Sequence, residues 1–188
     1  MAPKLNVVVT ATRPGRVGPT FGRWFTNVAR EHGAFEPTLV DLAEFDLPVF
    51  DEPHHPRMAK YENAHTKAWS ESCKAADAFV FVMPEYNYFP PAAFVNAMTY
   101  LSQEWAYKVA GFVSYANVSG GTRAVQIAKG LCANLKMVTP PEGVPIPSFP
   151  SLLDGNKEFM PNDLHRASAK TMLDEMLKWD NALRTLRG

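Results

Sequence analysis

LNVVVTATRPGRVGPTFGRWFTNVA, residues 5–29, changes character twice. The valine-rich run Leu5 to Val9 is bounded by polar and turn residues and fits a strand buried on both faces. Phe21, Trp24, Phe25, Val28 and Ala29 then recur at i, i+3, i+4, i+7 and i+8, the apolar stripe of a helix. Pro19 sits where a first helical turn tolerates it, and Gly33 where helices commonly stop. Between strand and helix lies TATRPGRVGPT (10–20), with two arginines, two glycines, two prolines and three threonines. A ligand for such a loop would be small and negatively charged.

The same cycle continues along the chain. FEPTLVDL (35–42) reads as a strand, a helix spans roughly Asn63 to Ala76, and DAFVFVM (77–83) is the strongest strand signal. A helix carrying Phe94, Ala97, Met98 and Leu101 follows. VAGFVSY (109–115) precedes a helix with Val125, Ala128, Cys132 and Leu135 on one stripe. A weak fifth strand falls within 137–147, and a long helix runs from near Asn162 to about Leu186. Alternating β and α elements predict an α/β fold, with a parallel sheet of about five strands covered by helices on both faces. Right-handed crossovers bring the strand-to-helix loops to the carboxyl edge, where ligands of open α/β sheets bind. TATRPGRVGP, PEYNYFPPA (84–92) and ANVSGGTR (116–123) should therefore converge. Two irregular, proline-containing segments interrupt the plan: 47–65, a surface excursion placed to cover a site or meet a second subunit, and 148–161.

At 188 residues the chain suits one domain, 1–188, and 46% hydrophobic with 20% charged residues is the make-up of a globular protein. Nineteen basic and nineteen acidic residues cancel, which argues against nucleic acid or an anionic membrane as partner. No apolar run approaches a membrane span, and MAPKLNVVVT lacks a signal-peptide core, so the expected location is cytoplasmic. Cys73 and Cys132 lie far apart and read as buried small hydrophobes. His54-His55 has no further ligand nearby in sequence, and no metal site is expected.

In the first loop a helix N-terminus, Arg13, Arg16 and the hydroxyls of Thr10, Thr12 and Thr20 suit one phosphate monoester; the competing reading is a solvated loop with surface ion pairs. Neither GxxxxGK[ST] nor GxGxxG is present, which excludes the usual NTP and dinucleotide loops. The second loop is stiffened by prolines, and either Tyr86, Tyr88 and Phe89 wall a flat ring or Tyr86 and Phe89 plug the sheet end. In the third, Ser119, Gly120 and Gly121 either let backbone approach a ligand or form an ordinary turn.

TRPGRVGP, PEYN with FVNAMTYL, and SGGTRA, in this order, resemble the NADPH-dependent FMN reductase family over roughly residues 4–140. The resemblance implies a flavodoxin-like three-layer sandwich with strand order 2-1-3-4-5. It implies FMN as cofactor, its phosphate in the loop of Thr10, Thr12, Arg13, Arg16, Val17 and Gly18. The flavin ring would lie against Pro84, Glu85, Tyr86 and Asn87, and against Tyr115, Ser119 and Gly120. NADPH or NADH would deliver hydride to flavin N5 without a catalytic side chain, and electrons would pass on to a flavin, quinone, azo dye or metal oxyanion. A homodimer or homotetramer is implied as well. Thr10 and Ala11 stand where the family has Gly-Ser, Phe89-Pro90 replace a small polar and a branched residue, and Ala116-Asn117 replace a glycine pair. The alternative is a flavin-binding or flavin-free interaction protein that has lost turnover. A flavodoxin-type electron carrier would show a strongly acidic surface, unlike this neutral chain.

Overall fold

The computed structural model describes residues 2–187. Five parallel strands, β1 (Lys4–Val9), β2 (Glu36–Asp41), β3 (Ala78–Pro84), β4 (Val109–Ala116) and β5 (Val144–Pro147), form one sheet in the order β2-β1-β3-β4-β5. Between them run α1 (Gly18–His32), α2 (Ala64–Ala75), α3 (Ala92–Thr99) and α4 (Thr122–Asn134), and α5 (Asp163–Arg187) closes the chain. Register is continuous through the centre: Val8 lies beside Val40 and Phe81, and Phe81 beside Phe112.

The sheet's two faces divide β3 by its period of two. Phe79, Phe81 and Met83 pack with Trp69 of α2, Phe94 of α3, Trp105 and Cys132 of α4. Ala78, Val80 and Val82 face Phe21 and Phe25 of α1 and Met172 and Met176 of α5. The α1 stripe read from sequence is thus the buried side of that helix. Gly22 lets α1 lie close to the sheet, since a Cβ there would come within 2.8 Å of Val9 and 2.9 Å of Leu39. The helix stops at Gly33, whose left-handed φ of 76° no β-branched residue would adopt without strain.

Two helix ends differ from the sequence expectation, and the fifth strand falls within the expected stretch. Leu101 lies beyond α3 and Leu135 caps α4, yet Leu101 is fully buried and Leu135 packs on the same cluster. The apolar period therefore outlasts the helices. The fifth strand starts as a bridge between Val138 and Val109, breaks at Pro140-Pro141, and resumes only at Val144. Proline offers no ladder donor, so the break falls there.

The 47–65 segment is strapped to α3. Pro48 carbonyl accepts from Asn96 Nδ2 (2.6 Å) and the Tyr100 hydroxyl (3.0 Å), and Asp51 accepts from the same hydroxyl at 2.9 Å. Buried Glu52 accepts from the backbone N–H groups of Glu62 and Asn63 and so closes the start of α2. Among the described residues no helix is long and apolar enough to cross a membrane.

The long α5 opens with a reciprocal pair: Asn162 Oδ1 accepts from His165 N–H (3.0 Å), and His165 Nδ1 accepts from Asn162 N–H (3.1 Å). Histidine here takes the part that Glu or Gln plays in a capping box. Burial holds the His165 imidazole below its ordinary pKa. The unfolded chain then takes up this proton at a higher pH than the folded one, so stability from the neutral ring is lost as pH falls through about 6.5 and below. His165→Gln keeps an acceptor without the titration. In urea melts between pH 8 and 5 the wild type should lose more stability than His165→Gln, and parallel curves would reject this role.

Candidate functional site

At the carboxyl edge the three loops do converge. Arg13, Arg16 and Val17 from the first, Pro84, Glu85 and Tyr86 from the second, and Tyr115, Ala116 and Asn117 at the end of β4 line one cleft of about 140 Å³. Phe149 completes the lining. It comes from the second irregular segment, whereas no residue of the 47–65 excursion lines the cleft. Sequence analysis did not single out Phe149. The signal lay in β5, a parallel strand whose following loop must leave at the same edge.

The first loop sorts its polar groups by partner. Thr10, expected at the phosphate, is fully buried, and its hydroxyl donates to Val82 carbonyl at 2.9 Å while its N–H donates to the same oxygen at 3.1 Å. It ties the end of β1 to β3 instead. Thr20 is likewise spent on the protein, donating to Glu158 Oε2 and accepting from Phe159 N–H, both at 2.8 Å. Arg16 Nη1 donates to Ala11 carbonyl (2.8 Å) and pairs with Asp41 at the end of β2. That hydrogen bond raises the guanidinium pKa further, so Arg16 braces the loop as a fixed cation. Arg13 is exposed, and only its Nε is engaged, on the Tyr86 hydroxyl at 3.3 Å. Thr12 is exposed on the same loop, and Gly18 is buried at the helix start, close to the Tyr115 hydroxyl.

The second loop is a two-residue hairpin. Tyr86 and Phe89 exchange both backbone hydrogen bonds at 2.9 Å, and Asn87 and Tyr88 take φ of 51° and 69°. Positive φ at both central residues is the requirement of a type I′ turn. The plug reading of Phe89 fails, because the residue is 59% exposed. Tyr88 is exposed too, under the Arg123 guanidinium at 4.1 Å from its ring centroid. Tyr115, by contrast, is buried against Phe21 (4.6 Å) and Phe149 (5.3 Å), and burial raises its phenol pKa.

In the third loop the glycines serve the protein's own packing. A Cβ on Gly121 would come within 2.7 Å of Ser114, and one on Gly120 within 3.1 Å of Pro147 N, both at positive φ. The close approach of Gly120 is to β5 and that of Gly121 to β4. Neither Ser119 nor Gly120 lines the cleft; Ser119 donates to Glu85 at 2.6 Å.

Residues 3–150 match the NADPH-dependent FMN reductase family. The chain belongs to that family. A NAD(P)H-dependent FMN reductase of Schizosaccharomyces pombe is 37% identical over 143 residues, 75% of this chain and 71% of the yeast protein. A 2-hydroxy-1,4-benzoquinone reductase of Burkholderia sp. is 25% identical over 187 residues, 95% of this chain and 97% of that protein. Among solved structures, the flavoenzyme FerB, an NAD(P)H:(acceptor) oxidoreductase from Paracoccus denitrificans, superimposes with a TM-score of 0.76 at 17% identity. The match covers 96% of this chain and 98% of FerB and shares the flavodoxin-like fold. As a member of the FMN reductase family the chain is a flavin-dependent NAD(P)H oxidoreductase with FMN as cofactor. The reading as a scaffold that has lost turnover is not favoured.

The donor set suits a phosphorylated flavin. Among the described residues the N–H groups of Ala11, Thr12, Arg13, Gly15 and Val17 make no hydrogen bond to protein, and they flank the start of α1. With Arg13 they form a nest of donors of the kind that holds phosphate. His54 is taken by Glu62 at 3.3 Å, and among the described residues no cluster of His, Cys, Asp and Glu is arranged to hold a metal.

The tie made by Thr10 is open to test. Thr10→Val should cost about 0.5–1.5 kcal/mol in a urea melt, the net worth of a neutral hydrogen bond, and leave FMN affinity within about twofold. Weaker FMN binding at unchanged stability would return Thr10 to the phosphate.

Proposed function

We propose that residues 1–188 form one flavin-binding domain that takes hydride from NADPH or NADH and passes electrons to a quinone or azo acceptor, as a cytoplasmic homodimer or homotetramer. The observation that carries this reading is the meeting of Arg13, Tyr86 and Tyr115 in one cleft at the carboxyl edge, beside a nest of unpaired N–H groups. Bound FMN supplies the redox chemistry, hydride acceptance at N5 and its onward transfer.

The chain supplies position and charge. Arg13, Thr12, Val17 and the loop N–H groups hold the phosphate dianion, with Arg16 bracing the loop behind them through Asp41. Gly18 starts the helix whose dipole points at that phosphate. Backbone from Pro84 to Asn87, held in place by the hairpin, would meet the ring edge, and the third loop would face it through Ala116 and Asn117, with Ser119 and Gly120 behind them. The buried phenol of Tyr115 stays protonated at the cleft wall. Exposed Tyr88 and Phe89 stand close to the cleft and favour flat aromatic acceptors. Nicotinamide and acceptor would use the same opening of the cleft in turn, which gives ping-pong kinetics. The quinone reductase from Burkholderia supports an acceptor of that class.

Self-association is supported by apolar side chains left outside. Val95 of α3 and Ile127 of α4 are each 40% exposed on adjacent helices of one sheet face, with Val118, Tyr88 and Phe89 nearby in sequence. The two cysteines are free and buried, in keeping with a reducing compartment.

Anaerobic mixing of the FMN-loaded protein with NADPH or NADH should bleach the flavin band, and benzoquinone should restore it. A band that persists overturns the enzymatic reading. Light scattering at micromolar concentration should report a dimer or tetramer. FMN should bind more tightly than riboflavin, and Arg13→Ala should weaken FMN alone by about tenfold to 150-fold, the worth of a charge-assisted hydrogen bond. Equal losses for both flavins would remove Arg13 from the phosphate. Ala11 is fully buried in the same loop, and Ala11→Ser should tighten FMN and not riboflavin if the added hydroxyl reaches the phosphate.

A further inference from the structure

Helix α4 is capped at its N-terminus by Gly121, a residue without a side chain to accept from the first-turn N–H groups. The acceptor comes from another segment. Glu85, just past the end of β3, donates its backbone N–H to Tyr115 carbonyl at 3.2 Å and turns its carboxylate toward the third loop. Oε2 accepts from the Ser119 hydroxyl at 2.6 Å and from Arg123 N–H at 3.2 Å. Oε1 accepts from Arg123 Nη1 at 3.4 Å. The Glu85 side chain is only 6% exposed while Arg123 stays half-exposed, so the carboxylate is held by charge-assisted bonds at the rim of the loops. A carboxylate also suits the positive end of α4.

The contacts then return to their origin. Ser119 Oγ accepts from Gly121 N–H at 3.1 Å and so fixes the turn into α4. The Arg123 guanidinium, held by Glu85, lies over Tyr88 in the same hairpin that Glu85 leads into. Second and third loops are thereby joined twice, through Ser119 and through Arg123, and both joints end on one carboxylate. Both oxygens are occupied by protein donors, which leaves the carboxylate to act on the loops.

We propose that the Glu85 side chain is the positioning residue that locks the two ring-binding loops into one unit, so that flavin-ring affinity and reduction potential depend on it through Ser119 and Arg123. The proposal rests on the flavin-site reading above. It separates two parts of the site. Arg13 and the first loop govern the phosphate, whereas Glu85 governs the ring, and the two should fail differently.

Fluorescence titration of wild type, Glu85→Gln, Ser119→Ala and the double variant with FMN and with riboflavin tests this. Glu85→Gln keeps the size of the side chain and removes its charge. It should weaken both flavins by the same factor, about tenfold or more, and leave the FMN-to-riboflavin affinity ratio at the wild-type value. Ser119→Ala should weaken both in the same way, and the double variant should be little worse than Glu85→Gln, because residues on one strut are not additive. Melting temperatures should stay close to wild type. The midpoint potential of the bound flavin should rise in Glu85→Gln, since a negative charge has left and Arg123 has lost its partner. FMN affinity within twofold of wild type, additive losses in the double variant, or a loss confined to FMN would each overturn the proposal. If Glu85→Gln does not fold, Ser119→Ala decides by the same titrations, and unchanged affinity for both flavins overturns it. A wild-type chain that binds neither flavin overturns the flavin-site reading as well, whereas normal wild-type binding with an unaffected Glu85→Gln overturns the strut alone.

Discussion

The arrangement at the carboxyl edge hangs on one central strand being buried along its whole length. All seven residues of β3 are out of solvent, and its two faces alternate between the two cores. Burying a Phe or Val side chain contributes about 1.5–3 kcal/mol relative to leaving it exposed, so register in this strand is strongly fixed. Val82 carbonyl then receives Thr10, which sets where the first loop leaves β1. Pro84 ends the strand beside Tyr115, which sets where the hairpin and Glu85 begin. A shift of one residue in β3 would move all three loops together.

The two edges of the sheet are finished in opposite ways. At the amino edge, fully buried Asp180 accepts from Arg184 at 2.9 Å and from Arg187 at 2.7 Å, and Arg187 also donates to Asp77 carbonyl at 2.8 Å. Asp77 in turn accepts from Lys4 N–H at 2.8 Å. Donors and acceptors there are matched, as a buried charge requires. At the carboxyl edge Arg13 and a run of N–H groups remain without a carboxylate. The chain is neutral overall, and its surplus of donors is local.

Much of this was legible in the sequence because periodicity is a local property. The switch from LNVVV to the Phe21, Trp24, Phe25, Val28 stripe gave strand and helix, Pro19 and Gly33 gave the helix ends, and the alternation gave the layered sheet. The convergence of three loops followed from crossover handedness alone. The destinations of individual polar groups were not legible. A threonine hydroxyl finds whichever acceptor folding brings near, and for Thr10 and Thr20 these were Val82 and Glu158. Glycines in SGG announce left-handed backbone, but not whether ligand or sheet lies opposite. The linkage of Glu85 to Ser119 and Arg123 joins residues on successive loops, and nothing in either loop alone shows it.

Phe149 gives the site an order of assembly. The cleft takes its first wall from residues 13–17 and its last from residue 149, on a segment that seats by Phe159 N–H on Thr20 and by Glu158 on Arg23. A chain made from its N-terminus therefore exposes the first loop long before the cleft is complete. A ligand seated in the cleft would touch both parts of the chain and so favour the docked C-terminal segment over the detached one.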